Sequence, residues 1–528
     1  MRKSISLMTI IIFTLITSTG FAEPKHYPLA LLPYPGPGKL VVTSPGLITS
    51  LENIQVNHDG TAQLQNEEVV CINPTNTDNA VAIWRDFRLG FRRVGIGYTF
   101  DGGQSWVDAL IEVPPYPRQS DPVLFVNRDG VFYASTLTLV WGSGPSGISV
   151  QKSTDGGVTW SEPTYVVDGQ EDYFEDKQWL AIDQTGGSGD GNIYCVWDRF
   201  EADYYGTQIV CATSTDDAQT FSEPVGVSVS GYDYVQWPVV TVGPNSDVYV
   251  AWYDHRNPRR ISFAKSTDYG TSFEPQSDAI YLDSAYSELN GGILTFPFPA
   301  MSCDIYPESY FNGNLYIVYA DGSYDWDIWC CRSTDGGMTW SDKVRVNDDP
   351  IFNGSDQFHP WLSIDSDGVI HVCFLDRRDD PNNILYNIYY TRSTDGGQTW
   401  EVNHRISTVS SDPGHAALAG LIGEYIGISA WEREIQMVWT DVRNLNQDVF
   451  SARIFSDFVP GDVNNNDRLS GADVTYLVGY FKGYNPSPDP AIWRADANGD
   501  CLIGPSDVTF LVLYFKGFGP EPVDGNCP

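Results

Sequence analysis

Through the middle of the chain, short stretches alternate apolar and polar residues with a period of two. Examples are Ile261-Ser262-Phe263-Ala264-Lys265 and Lys343-Val344-Arg345-Val346-Asn347. Period two predicts strands with one face packed and one face wet. Clusters of Gly, Asp, Asn and Ser separate them, as turns require. Helical spacing appears near the C-terminus, in Asp473–Gly483 and again in Asp507–Gly517. The pattern therefore predicts an all-β body followed by a small helical module.

The strands repeat as a unit. An octapeptide Ser/Thr-x-Asp-x-Gly-x-x-Trp/Phe occurs at Thr99–Trp106, Ser153–Trp160, Ser214–Phe221, Ser266–Phe273, Ser333–Trp340 and Ser393–Trp400, the third copy carrying Ala218 in the glycine slot. Its chemistry is that of a tight turn. The Asp accepts backbone N–H bonds, Gly supplies a left-handed backbone, and the aromatic packs into the sheet. An alternating strand precedes each copy, and a strand ending in aromatic-x-Asp-x-Arg precedes that. A short outer strand follows. Counting upstream strands gives seven units, the last being Ile428–Phe455, which has neither octapeptide nor outer strand. Asn53–Asn57 has the pattern of Lys343–Asn347 and can supply the missing strand, because a propeller must hide its sheet edges. The expectation is a seven-bladed propeller of four-stranded sheets over residues 50–458, with six blades as the alternative.

The octapeptide is the Asp-box, or bacterial neuraminidase repeat, and Val69–Ile454 resembles the sialidase-like propellers. That resemblance implies glycan binding or glycoside hydrolysis of the exo-sialidase kind. In that family three arginines clamp the substrate carboxylate, a Tyr activated by Glu is the nucleophile, and an Asp is the acid/base. A guanidinium suits the clamp because its planar fork matches a carboxylate. The arginine candidates are Arg88, Arg256, Arg378 and Arg443, each two residues after an acid (Asp86, Asp254, Asp376 and Asp441). If the octapeptide joins strands three and four, these Asp–Arg elements ring the opposite mouth. Their repetition in most blades also fits a structural ion pair at each strand end. The family's Arg-Ile-Pro motif is replaced by Glu68-Val69-Val70-Cys71. Two stretches that do not repeat supply further candidates, Glu175 within Glu171–Lys177, and Glu424 with Tyr425.

Beyond Pro460 a duplicated loop–helix unit begins. Oxygen donors fall at loop positions 1, 3, 5 and 12, as Ca²⁺ demands. They are Asp462, Asn464, Asn466 and Asp473, then Asp496, Asn498, Asp500 and Asp507, with backbone carbonyls of Arg468 and Leu502 at position 7. The two helices match at nine of eleven positions. Residues 459–528 resemble a type I dockerin, which implies two Ca²⁺ sites and docking to a cohesin-like partner on a scaffold or cell surface. Loop positions 10 and 11, Gly471-Ala472 and Pro505-Ser506, depart from the family's hydroxyl-rich pair.

Composition narrows the setting. The 528 residues carry 68 acidic against 31 basic side chains, a formal charge of −37, which excludes a sequence-independent grip on nucleic acid and disfavours an anionic membrane. Met1-Arg2-Lys3, the apolar run Ile5–Ile16 and Gly20-Phe21-Ala22 read as a signal peptide over residues 1–22, followed by a leader over 23–49. No later segment is long and apolar enough to span a bilayer. The mature chain is expected to be secreted, extracellular or surface-bound. Nine cysteines suit that compartment. Cys195 with Cys211, Cys303 with Cys330 or Cys331, and Cys501 with Cys527 are possible pairs, and free buried thiols are the alternative. Two functional readings follow: a glycan-binding or glycan-processing propeller carried on a docking module, or a non-catalytic adhesion propeller whose calcium module is a structural cap.

Overall fold

The computed structural model describes residues 48–49, 53–520 and 522, apart from 141–145, 170–171, 202–205, 230–233, 284–286, 323, 416–421, 456–460, 465–468, 486–494 and 500–501. The signal segment, nearly all of the leader, and Asn466, Arg468, Asp500, Cys501 and Cys527 lie outside the described residues.

Seven antiparallel blade sheets follow one another along the chain, with a two-stranded hairpin, Ser287–Leu289 and Ile293–Thr295, between the fourth and the fifth. In blades one to six the strand order is sequential, from an inner strand to an outer one. The six inner strands are Gln65–Ile72, Arg118–Val126, Tyr173–Ile182, Val235–Val242, Ala300–Cys303 and Gln357–Ile364. The seventh blade contains Gly427–Trp431, Glu434–Asp441 and Asp448–Phe455. Its last strand pairs with Ile54–Gln55, Ile54 lying opposite Ser451 and Gln55 opposite Phe450. Val56 continues the closure by donating its N–H to the Val449 carbonyl at 2.8 Å. The N-terminal strand thus closes the ring, and the blade number is seven.

Each octapeptide joins the third strand of a blade to the fourth. In the second blade, Asp155 Oδ1 accepts from the Ser153 hydroxyl at 2.8 Å and the Thr159 N–H at 2.9 Å. The Gly157 N–H returns to Ser153 Oγ at 2.9 Å. Gly157 has φ +93°, and a Cβ there would lie 2.6 Å from Val81 Cγ2 of the preceding blade. The turn therefore packs blade against blade. Ala218 adopts the same left-handed backbone at φ 60° and keeps the N–H bond to Ser214 Oγ.

The core lies between the sheets, with Trp84, Trp197, Trp252 and Trp439 of the second strands fully buried. The seven described cysteines are free thiols. Cys195 lies opposite Ala212, so its neighbour Cys211 points to the other face of the sheet and cannot be bridged to it. Cys303 belongs to an inner strand, and Cys330 and Cys331 to the third strand of the same blade, two strand spacings away. Those two pairings are corrected accordingly.

The chain divides into two units, the second holding the C-terminal module. There, helices α1 (Gly471–Phe481) and α2 (Pro505–Phe515) pack around Leu477, Leu511, Val463, Ala495 and Ala497. Each is capped by the acid at its third position, Asp473 accepting from the Ser470 N–H at 2.7 Å and Asp507 from the Gly504 N–H at 2.8 Å.

Candidate functional site

The antiparallel blades place the octapeptide turns on one face and the Asp–Arg elements on the other. Gln65, Val235 and Gln357 at the starts of inner strands lie opposite Asp86, Asp254 and Asp376. Each candidate arginine is engaged by its own blade's acid. Arg88 and Arg443 bridge Asp86 and Asp441 at 2.8 and 2.7 Å, and Arg378 bridges Asp376 at 2.8 Å. Arg256 is paired with Asp254. All four acids are fully buried. Glu175 performs the same service in blade three, where the motif is shortened. It accepts from Trp197 Nε1 at 2.6 Å and bridges Arg199 at 2.6 Å. These residues tie strands together, and no three of these arginines are assembled as a clamp.

Glu424 and Tyr425 stand elsewhere, at the mouth of the channel. The other groups near them come from a repeated defect in the inner strands. In blades one, two, three, four and six the pairing register slips by one residue near the strand's start. At each slip one non-glycine residue takes a left-handed backbone: Glu67 (φ 61°), Asp121 (48°), Lys177 (50°), Trp237 (56°) and His359 (48°). A bulge of this kind re-aims a side chain, and non-glycine residues in this region are uncommon. Five blades thus turn five unlike side chains at equivalent places, all buried. The second strands add to them through the residue after the aromatic, which is Arg85, Asp198, Tyr253, Leu375 and Thr440 in blades one, three, four, six and seven.

These groups converge. Lys177 Nζ lies 2.5 Å from Glu424 Oε2 and 3.4 Å from Asp121 Oδ2. It also sits 4.7 Å from the Tyr425 ring centre and 5.5 Å from that of Phe298. Arg85 bridges Glu67 at 2.9 Å and donates to Asn66. Glu68 accepts from the Thr440 hydroxyl at 2.6 Å. Trp179 and Trp361 stand 4.5 Å apart at the floor, and Trp237 packs on Phe296 and Phe298. Below them the channel holds a cavity of about 230 Å³ lined by inner strands of all seven blades.

The electrostatics separate the acids. Burial pushes Glu67 up to about 7 and Glu68 to about 8, and raises Asp176 and Asp198 well above the usual carboxylate range. Asp121 is the exception. Despite burial, the nearby charges of Lys177 and Arg85 hold it low. Burial lowers His359 to about 3, keeping its imidazole neutral. A protonated acid beside an ionised one is the arrangement that acid–base chemistry needs. Sequence reading passed over Glu67, Asp121, Lys177, Trp237 and His359. A signal was present: Gln stands two residues before the slip in blades one, two and six, and Pro directly after it in blades two, four and six.

Among the described residues no group of three or more His, Cys, Asp or Glu side chains is gathered as a metal cage. In the C-terminal loops, Asp462, Asp473, Asp496 and Asp507 are nonetheless buried, and burial beside Asp462 raises Asp473.

A seven-bladed ring with an unsymmetrical, charged mouth over a cavity on its axis defines the chain as a propeller. Comparison with known proteins adds low-identity sialidase relatives. The sialidase of Clostridium perfringens is 22% identical over 173 residues, 31% of this chain and 43% of that protein. The sialidase of Paraclostridium sordellii is 27% identical over 158 residues, 28% and 39% respectively. The chain spans about two fifths of the length of these curated relatives. Similar solved structures include Hadza microbial sialidase Hz136, with TM-score 0.41 and 14% identity over 71% of this chain and 73% of that one. Another is an α-L-arabinofuranosidase of Fusarium graminearum, with TM-score 0.44 and 14% identity over 62% and 92%. No protein-family model matches. These likenesses bear on fold alone.

Proposed function

We propose that this chain is an exported glycan-processing protein whose propeller acts at the mouth just described and whose C-terminal module docks it, with calcium, to a cohesin-like scaffold or cell-surface partner. The observation that carries the reading is the ring of five left-handed residues. Structure that repeats with the blades serves architecture, whereas Glu67, Asp121, Lys177, Trp237 and His359 share a backbone position and differ in side chain from blade to blade. Strained backbone of this sort is found where a site needs it.

In the reaction, Glu67 is the acid that protonates the departing sugar oxygen, and Asp121, already ionised, assists attack at the sugar carbon. Lys177 holds Asp121 and Glu424 in place. Trp237 and the Trp179–Trp361 floor supply faces for a sugar ring.

Export rests on the N-terminal signal pattern. In the docking module, Asp462, Asp473, Asp496 and Asp507 would hold Ca²⁺ with the side chains of Asn464, Asn466, Asn498 and Asp500 and the carbonyls of Arg468 and Leu502. Buried carboxylates ask for such a cation, and bound Ca²⁺ would neutralise them and fix the loops. The partner surface would then be the pair α1 and α2.

A panel of fluorogenic glycosides tests the catalytic claim. Turnover of at least one substrate should fall more than about 100-fold in Glu67→Gln and in Asp121→Asn, with both variants still folded by circular dichroism at the assay temperature. Absence of turnover on every substrate, alongside intact glycan binding, would replace hydrolysis by recognition alone.

A further inference from the structure

The mouth contains buried polar atoms of both kinds that have no hydrogen-bond partner within the protein. The acceptors are Glu67 Oε2, Glu68 Oε2, Gln178 Oε1 and Asp198 Oδ1. The donors include Arg85 Nη2, Lys177 Nζ, and Arg377 Nε and Nη2, and His359 Nε2 can play either part. Every one of these side chains is more than nine-tenths buried. Buried polar groups in folded proteins find partners, so a set left open at one place is met by water or a ligand.

The composition of the set restricts the ligand. An anionic sugar needs converging donors with no competing acceptors, as a carboxylate clamp provides. Here two of the mouth's cations are already engaged by acids. Arg85 is bridged by Glu67 at 2.9 Å, and Lys177 by Glu424 at 2.5 Å and Asp121 at 3.4 Å. The rim arginines Arg88, Arg256, Arg378 and Arg443 are held by the acids of their own blades. A carboxylate entering the mouth would meet the open acceptors of Glu68, Asp198 and Gln178 together with the open donors of Arg85 and Arg377, a mixed set that suits it less well than a ring of hydroxyls.

We infer that the mouth accepts an uncharged sugar residue and rejects acidic sugars, sialic acid included. A sugar hydroxyl donates and accepts at once, so a ring of hydroxyls answers the open donors and open acceptors together. Burial keeps Glu68 largely protonated near neutral pH, so this acid too can donate to a sugar oxygen. The aromatic surround of Trp179, Trp237, Phe298 and Trp361 offers the flat faces that the apolar side of a sugar ring covers. This inference rests on the glycan reading above and names its substrate class.

The experiment is a titration of the full chain, read by tryptophan fluorescence, because three tryptophans stand at the mouth. The probes are lactose and oligosaccharides of glucose, xylose, mannose and arabinose on one side. On the other are 3′-sialyllactose and oligogalacturonate. At least one neutral series should bind about tenfold or more tighter than either acidic probe, a gap worth about 1.4 kcal/mol. Tighter binding of 3′-sialyllactose or oligogalacturonate than of every neutral probe would overturn the inference while leaving the glycan reading intact. Silence from all probes, with no turnover of the glycoside panel, would overturn the glycan reading and this inference with it.

Discussion

Replacing Glu68 by Gln should change how stability depends on pH, in a direction that burial dictates. Glu68 is fully buried, its carboxyl is bonded to the Thr440 hydroxyl, and its pKa is raised from an ordinary 4.5 to about 8. The folded state therefore holds a proton that the unfolded chain releases above pH 4.5. Stability falls wherever the folded state binds more protons, so this group's contribution is complete below about pH 4.5 and is lost as pH rises toward 8. Each tenfold change in proton affinity corresponds to about 1.4 kcal/mol, and the whole window bounds the effect at about 5 kcal/mol. Allowing for relaxation and water entry, about 2–4 kcal/mol between pH 5 and pH 8 is expected. Gln cannot ionise and keeps an oxygen for Thr440. Urea unfolding midpoints at pH 5, 6.5 and 8 should therefore show Glu68→Gln gaining on wild type by that amount as pH rises. Asp176 and Asp198 titrate in the same sense and cancel in the difference, whereas the charge of neighbouring Glu67, which helps to raise Glu68, is part of what the difference reads. Parallel curves for the two proteins would refute the claim that Glu68 is dry and protonated.

Three further outcomes follow from the same geometry. Gly157→Ala combines a strained φ with a Cβ 2.6 Å from Val81 Cγ2 and should cost about 2–4 kcal/mol, part of it recovered in the double variant with Val81→Ala, read as denaturant midpoints. Arg443→Ala leaves buried Asp441 without its bridge and removes one of the ties on Asn53, whose Oδ1 accepts from Arg443 Nη2 at 2.9 Å. A loss of about 3 kcal/mol is expected, with easier proteolysis ahead of Val56. Calorimetric titration of the full chain should give two Ca²⁺ per molecule, one in Asp473→Asn and one in Asp507→Asn; an unchanged stoichiometry would remove the loop assignment.

What could be read from the residues alone was what repeats. The octapeptides, the strand preceding each and the orphan strand at Asn53–Asn57 all carry short-range patterns, and ring closure follows from counting edges. The same repetition exposed the Asp–Arg pairs as architecture. The mouth was harder because it is built on a break in the pattern. A one-residue register slip reverses which side chains face inward, and nothing in simple alternation shows that Glu67 or Lys177 takes a left-handed backbone. The x positions of aromatic-x-Asp-x-Arg were equally hidden. Asp86 and Asp254 are what the motif displays, whereas Arg85 is the residue that bridges Glu67, and Tyr253 and His255 are those that pack on Trp237. Glu424 and Tyr425 were found because they fall outside the repeat. Glu175 shared that feature and yet serves as a strand tie, since the shortened Trp197-Asp198-Arg199 needs an acid from its neighbour.

The five slipped residues would each sit more comfortably as glycine or asparagine, which enter that backbone region at little cost. Each position thus sets local relaxation against a side chain turned toward the axis. Heat-hardened variants selected for robustness alone should accumulate changes at residues 67, 121, 177, 237 and 359, and should lose their ligand as they do so. Libraries confined to those five codons, by contrast, would vary what the protein recognises while leaving every blade's hydrogen-bond ladder untouched.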